Sequence, residues 1–467
     1  MDRRRLFASF DTTTLTTLAA LSALIAAPTG ARGTTLGNLV QLPGSSACVS
    51  ETGSGGNCTD GLALDGAAAV TVSKSGLHVY VAASGSDAVA AFLRVPSTGA
   101  LLQLTGTSAC VSETGTGGAC TDGRALDEPR GLAVSPDSKH LYVASTTSDG
   151  VAAFVRDDKT GVLTQLAGTA GCVTETGSGG ACADGVALGG ARQLALSANG
   201  KSLYAAARDG DAVVAFTRDT KTGALTQLAG TAGCVSETGT AGACANGVAL
   251  DFPTGVAVSP NGKNVYVTAS GSNAISAFAR DVKTGALTQL AGTAGCVSED
   301  GTGGLCADGK ALLAPFAVAV SQNGKSVYVA SRDSNAVAVF ARDFKTGALT
   351  QLAGIAGCVS EDGTAGQCAD GNALVGAQSL TVTRNRKSVY VAAENSNAVT
   401  AFARDTKTGA LTQLAGSDGC VSESGTAGTC ADGVALIEAR GVVLTRNAKH
   451  AYVTSATSNA VAAFERE

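Results

Sequence analysis

Fourteen cysteines stand in seven pairs, and each pair lies 62 residues from the next. The first members are Cys48, Cys110, Cys172, Cys234, Cys296, Cys358 and Cys420. Ten positions on come Cys58, Cys120, Cys182, Cys244, Cys306, Cys368 and Cys430. Seven copies without an insertion or deletion mean one structural unit repeated, so the chain must fold as an array or a ring of that unit. The same regularity limits function. A catalytic site needs unlike residues brought together, and most of this chain repeats the same ones.

The aromatic residues follow the period. Seven Tyr (Tyr80 to Tyr452) and seven Phe (Phe92 to Phe464) recur in register, so each unit owns one of each as an anchor of a repeated core. Within residues 129 to 190 the pattern predicts four short strands. Gly131–Ser135 alternates small and bulky residues, Leu141–Ala144 carries the tyrosine, Val151–Arg156 carries the phenylalanine, and Leu163–Leu166 follows a Lys-Thr-Gly turn. A Gly-rich loop with the two cysteines closes the unit. No stretch has the spacing of an amphipathic helix. Four antiparallel strands repeated seven times predict an all-β fold, a seven-bladed β-propeller. The ends support a ring over an open solenoid. Leu39–Leu42 aligns with the fourth strand and Val461–Arg466 with the third, so the amino-terminal segment supplies the strand that the last blade lacks.

Residues 1–31 read as an export signal, with Arg3, Arg4 and Arg5 ahead of a short apolar run from Leu15 to Ala27. The triple arginine loosely resembles a twin-arginine signal. No later run is long enough to span a bilayer. The expected protein is therefore secreted, periplasmic or on the cell surface, a monomer with no membrane span, and residues 36–467 are one domain. Export fits the cysteines, because disulfides persist in oxidising compartments. The formal charge of −5 gives no electrostatic reason to expect nucleic acid as a partner.

Val265-Tyr-Val-Thr268, Val327-Tyr-Val-Ala330 and Ala451-Tyr-Val-Thr454 follow turns such as Ser-Pro-Asn-Gly-Lys and precede Ser-Asn-Ala-Val. These segments resemble the YVTN-type repeats of lactonase-like seven-bladed propellers, whose named enzymes include 6-phosphogluconolactonase. The resemblance covers residues 36–467. It implies the propeller fold and opens a lactone-hydrolase activity, but it carries no catalytic residue onto this chain, and the cysteine loops depart from the enzyme pattern.

Each cysteine loop is expected to close on itself, since an eleven-residue loop rich in Gly gains about 3 kcal/mol from a crosslink. Zinc is a poor alternative without a Cys-x2-Cys spacing. Each loop also holds a Glu and, except at Asn246, an Asp, from Glu51 and Asp60 to Glu423 and Asp432. They read as turn-capping groups, with calcium as the alternative and no other cofactor expected. His78, His140 and His450 occupy one repeat position and read as surface turns. The third-strand arginines, Arg94 to Arg466, read as solvated edge charges.

Binding residues are expected where the copies disagree. One such position holds Ala68, Arg130, Arg192, Thr254, Phe316, Gln378 and Arg440. A neighbour holds Gly66, Glu128, Gly190, Phe252, Ala314, Gly376 and Glu438, and the turn after the second strand holds Ser84, Thr146, Arg208, Ser270, Arg332, Glu394 and Ala456. In a propeller these would meet around one mouth of the central channel, where arginines could hold carboxylate, phosphate or sugar hydroxyls. From residues alone the leading reading is a non-catalytic, disulfide-braced scaffold binding a protein or glycan through this loop face. A lactonase-like hydrolase using Arg130, Arg192, Arg440 and Glu128 or Glu438 is the alternative, and a structural cell-surface role is the third.

Overall fold

Every repeat places six β-prone residues, a tight turn and six more, and the structure, a computed structural model describing residues 36–467, folds each into one small sheet. The expected export segment lies outside the described residues. Repeats are numbered by their first strands, Ala67–Val72, Pro129–Val134, Ala191–Leu196, Pro253–Val258, Pro315–Val320, Ala377–Val382 and Ala439–Leu444. In repeat two, Pro129–Val134 pairs antiparallel with His140–Ser145, which pairs with Gly150–Arg156. First strands of successive repeats adjoin one another and line a central channel. The protein is a seven-bladed propeller.

The fourth strand is divided. Leu163–Gln165 and Cys172–Thr174 both pair with Gly150–Arg156, one toward each end. Between them lies a turn of 3-10 helix, Gly168–Gly171, where Gly168 takes φ +59° and lets the chain step out and return. The expected four-stranded blade therefore gains half a strand from the cysteine loop. That half-strand carries one more two-residue parallel partner, Ala183–Asp184. All seven disulfides are local, Cys172–Cys182 being typical with its Cα atoms 4.8 Å apart. They hold this outer edge, which has little apolar surface of its own. The loop glutamates have a backbone role: Glu113 Oε2 accepts the Leu126 amide, and the same bond recurs from Glu51–Leu64 to Glu423–Leu436.

The ring closes as the ends predict. Leu39–Gln41 and Cys48–Ser50 complete the seventh blade by pairing with Ala460–Arg466.

Blades are joined by an apolar layer and a polar lock. Tyr142 and its neighbours in repeat two pack with Leu203, Ala205 and Phe216 of repeat three, and the seventh interface joins Tyr452 to Phe92. Each tyrosine hydroxyl donates to a glycine carbonyl in the next blade, from Tyr80–Gly161 to Tyr452–Gly99, at 2.6–2.7 Å. Beside each lies the third-strand arginine, and here the expectation of solvated edge charges is overturned. Arg94, Arg156, Arg218, Arg280, Arg342 and Arg404 are buried and Arg466 is half-buried. In five joints Nε donates to the tyrosine hydroxyl of the preceding blade. In six joints Nη1 donates to a carbonyl of the arginine's own blade.

The histidines are corrected for the same reason. His78, His140 and His450 are buried, and each Nδ1 receives Nη2 of the next blade's arginine, at 2.6 Å for His78. The other copies place Ser202, Asn264, Ser326 and Ser388 at this acceptor. His, Ser and Asn alternate because each offers a lone pair. A permanently cationic donor assigns Nδ1 as acceptor and requires the neutral ring.

Burial first, then the facing arginines, lowers the pKa of all three histidines, that of His450 to about 4. A group whose folded pKa lies below its unfolded value of about 6.5 gives stability that is complete above 6.5 and lost as pH falls toward the folded value. Melting temperature should therefore drop between pH 7 and pH 5. For His450 alone the loss at pH 5 is about 2 kcal/mol. His450→Ser, which supplies the acceptor used at Ser202, should flatten that slope. Parallel pH profiles for parent and variant would show that the ring is not held neutral.

Candidate functional site

Two backbone devices aim the divergent residues at the channel. The first is a β-bulge. In every repeat the register slips inside the first strand at one residue, which leaves Ala68, Arg130, Arg192, Thr254, Phe316, Gln378 and Arg440 without a ladder partner. A bulge bends the strand and re-aims a side chain, and all seven of these residues line one cavity of about 270 Å³ in the channel.

The second device lies two residues earlier. Gly66, Glu128, Gly190, Phe252, Ala314, Gly376 and Glu438 all take positive φ, between +46° and +74°. Each donates its N–H to an Asp or Asn of the preceding blade, as Glu128 does to Asp87 and Phe252 to Asp211. Each accepts at its carbonyl from the turn after the second strand, as Glu128 does from Thr146 and Ala314 from Arg332. The two outer sets of divergent positions are thus bonded to each other in every blade. Three copies satisfy this left-handed conformation with Gly; Glu128, Phe252, Ala314 and Glu438 adopt it with a side chain, a conformation that costs roughly 1–2 kcal/mol.

The residues predicted for the rim meet there. Glu394 is the centre of one cluster: buried, it accepts from Arg440 at 3.0 Å and Gln378 at 2.9 Å, and lies 3.4 Å from Arg332. Arg440 also reaches Glu438 at 3.1 Å. Phe316 is flanked by two guanidiniums, Arg192 with its carbon 4.8 Å and Arg332 5.8 Å from the ring centre, and Arg208 lies 5.2 Å from the Phe252 ring. Arg130 stands 4.0 Å from Glu128, whose carboxyl is held below its ordinary pKa chiefly by a hydrogen bond from Thr146.

Arg192 differs from the rest. Among the described residues it has no carboxylate within ion-pair distance, and it faces Arg130, Arg208 and Arg440. Burial, then these like charges, lowers its pKa to about 9, so it remains cationic at neutral pH. A half-buried guanidinium with free donors in a concave mouth is an acceptor site for an anion or a polarised carbonyl oxygen. No group of three or more metal-ligating side chains converges among the described residues. The bulge and the Asp/Asn latches escape sequence reasoning; alternation of Gly with Glu, Phe and Ala at one position was the readable trace of positive φ.

Comparison with known proteins follows this geometry. The family model described as "Lactonase, 7-bladed beta-propeller" matches residues 14–176. None of the curated proteins matches the chain. Among solved structures, a candidate 6-phosphogluconolactonase from Bacteroides fragilis is 19% identical with a TM-score of 0.53, covering 86% of this chain and 90% of that one. The periplasmic gluconolactonase PpgL of Pseudomonas aeruginosa is 17% identical with a TM-score of 0.50, covering 74% and 83%. Hydrazine synthase of Kuenenia stuttgartiensis is 15% identical with a TM-score of 0.53, covering 87% and 97%. At such identities the likeness is one of fold. The chain resembles the lactonase-like seven-bladed propellers.

Ala314 holds the same left-handed conformation at φ +46° with only a methyl group to lose. Ala314→Gly should raise stability by about 1 kcal/mol, read by thermal or denaturant unfolding. A loss of stability would mean that packing of the methyl outweighs the backbone strain.

Proposed function

We propose that the protein is a hydrolase of lactones that carry an anionic substituent, acting at the arginine mouth. The observation that carries this reading is Arg192, a guanidinium without a carboxylate partner among the described residues, lining with Arg130 and Arg440 a channel-mouth cavity of about 270 Å³. The resemblance to lactonase-type propellers moves the weight from the scaffold reading to this one.

In this mechanism Arg130 and Arg440 hold the anionic substituent, and Arg192 donates to the lactone carbonyl oxygen. Charge grows on that oxygen when water adds to the carbonyl carbon, so a donor placed there lowers the barrier more than it tightens ground-state binding. Glu128, ionised through its Thr146 bond and Arg130, takes a proton from the attacking water. The carbon–ring-oxygen bond then breaks, the ring oxygen takes the proton that Glu128 accepted, and the product is the open hydroxy acid. Glu394 positions Arg440 and Arg332 and does not itself touch the reacting atoms. Seven disulfides support an extracytoplasmic setting, whether secreted, periplasmic or at the cell surface.

A binding-only reading uses the same rim. It is favoured by the stacked pairs Arg208–Phe252 and Arg192–Phe316, which suit a sugar ring or a protein loop.

The test is ring opening of gluconolactone and its 6-phosphate by purified protein, against the spontaneous rate. Turnover should be saturable, and Arg192→Ala should lower kcat/KM by on the order of 10²–10³ with an unchanged melting temperature. No turnover above the spontaneous rate across a lactone panel returns the mouth to the binding-only reading.

A further inference from the structure

The opposite face of the ring carries a second arrangement that lactone chemistry does not use. Strand direction alternates within a blade, so the hairpins joining first to second strand and third to fourth strand all emerge there. The first-to-second hairpins have one length in all seven repeats, which gives them a common height. Six hold an exposed lysine at the same place, Lys139 and its counterparts at 62-residue steps to Lys449. Lys74, Arg384 and Arg446 add exposed cations in repeats one, six and seven, which adjoin in the ring, and line a cavity of about 490 Å³ at this end of the channel with the hydroxyls of Ser73, Thr383 and Thr445. Among the described residues none of these three is in an ion pair. The one carboxylate in the seven hairpins is Asp137, and Arg218 Nη2 donates to both its oxygens. In repeats two to six the outer hairpins pair an aspartate with a lysine, as Asp281 with Lys283, and the aspartate accepts from its own turn; repeat two adds Asp158, held by Arg156 at 2.9 Å. A protein of net charge −5 thus has a cationic collar on one face.

Large apolar residues share that face. Leu77, Val282 and Phe344 lie in its hairpins and are exposed, Phe344 by 56%. Val282 sits in a depression with Lys263, Lys283 and Lys345. Apolar side chains set among lysines on an even plane are the pattern of surfaces that lie at a bilayer interface, where cations meet headgroups and apolar groups enter the acyl boundary. A thread-like polyanion would need the cations alone.

We propose that this face docks on a bilayer rich in anionic phospholipid, with Lys74, Arg384 and Arg446 gripping headgroup phosphates and Val282 and Phe344 entering the interface. The arginine mouth then faces away from the bilayer, open to solvent.

Vesicle co-sedimentation tests this. The protein should pellet with phosphatidylglycerol–phosphatidylcholine vesicles far more than with phosphatidylcholine alone, and less as salt rises. Lys74→Gln, Arg384→Gln and Arg446→Gln together should weaken anionic-vesicle binding roughly 100-fold, because each near-surface cation contributes about fivefold. Glutamine already stands there in repeat five as Gln322, so the melting temperature should hold. Phe344→Ser should weaken vesicle binding but leave binding to soluble polygalacturonate unchanged. The amino-terminal sequence, with Arg3, Arg4 and Arg5 ahead of its apolar run, is common to parent and variants, so the losses on substitution are what assign binding to this face. Equal pelleting with both vesicles, or an unaltered triple variant, overturns the proposal. Tighter binding to polygalacturonate than to vesicles also overturns it, making the face a reader of acidic polymer.

Discussion

A guanidinium buried between two blades is the constraint on which the rest of this ring depends. Removing such a charge from water is costly unless its donors find acceptors. Here the acceptors come from both sides: a carbonyl from the arginine's own blade, then a tyrosine hydroxyl and a His, Ser or Asn from the blade before. A single blade can solvate only part of its arginine. The joint is therefore complete only when the neighbour is docked, and each tyrosine, accepting from the arginine, donates to a glycine of the arginine's own blade and closes the same joint. Sliding one blade along another would leave charge and hydroxyl unmatched, whereas the apolar Tyr–Phe layer alone would tolerate it. The polar lock sets register and the apolar layer supplies most of the burial free energy.

That lock explains how the cysteine loops can be so poor in core residues. The inner three strands are fixed by neighbours on both sides, but the outer half-strand at Cys172–Thr174 is bonded to one sheet partner and a two-residue segment. A local crosslink limits what this edge can do when it frays, and a glutamate from the same loop ties it to the leucine that enters the next blade. Identical bracing in every copy keeps hairpins and turns at equal height. This is why residues more than 60 positions apart reach one another at the mouth, as Arg332 and Glu394 do.

The fold was legible because period, aromatic register and complementary ends all pointed to a closed ring. Burial of the charged residues was misread, although a signal existed. Arg94 lies two residues from Phe92 in a strand, and His78 two from Tyr80, so alternation puts each on the face of a core aromatic. Leu93 between them is 40% exposed, the reverse of what composition suggests. Periodic recurrence does not mark a surface, because a repeated joint recurs just as regularly. The rim was readable from divergence between copies. Its bulge and Asp/Asn latches were not, because they depend on how the neighbouring blade lies.

Chemistry in such a ring must come from broken symmetry, and the structure separates where symmetry can be broken cheaply from where it cannot. A bulged residue has no ladder partner and points into the channel, so Arg192 can stand where another copy has Ala68 without disturbing a blade joint. The position two residues earlier is different. Its backbone bonds demand positive φ in all seven copies, and any side chain there opposes the conformation. Glu128, Phe252 and Glu438 occupy it nonetheless, with Gly available at no steric cost in three other copies. A strained residue persists when the surrounding bonds over-determine it, and here the tie to the preceding blade and to the adjoining turn does so. The strained set and the bulged arginines border the same mouth. Strain at these three positions lies beside a guanidinium without a carboxylate partner among the described residues, and it is to this end of the channel that the proposed hydrolysis is assigned.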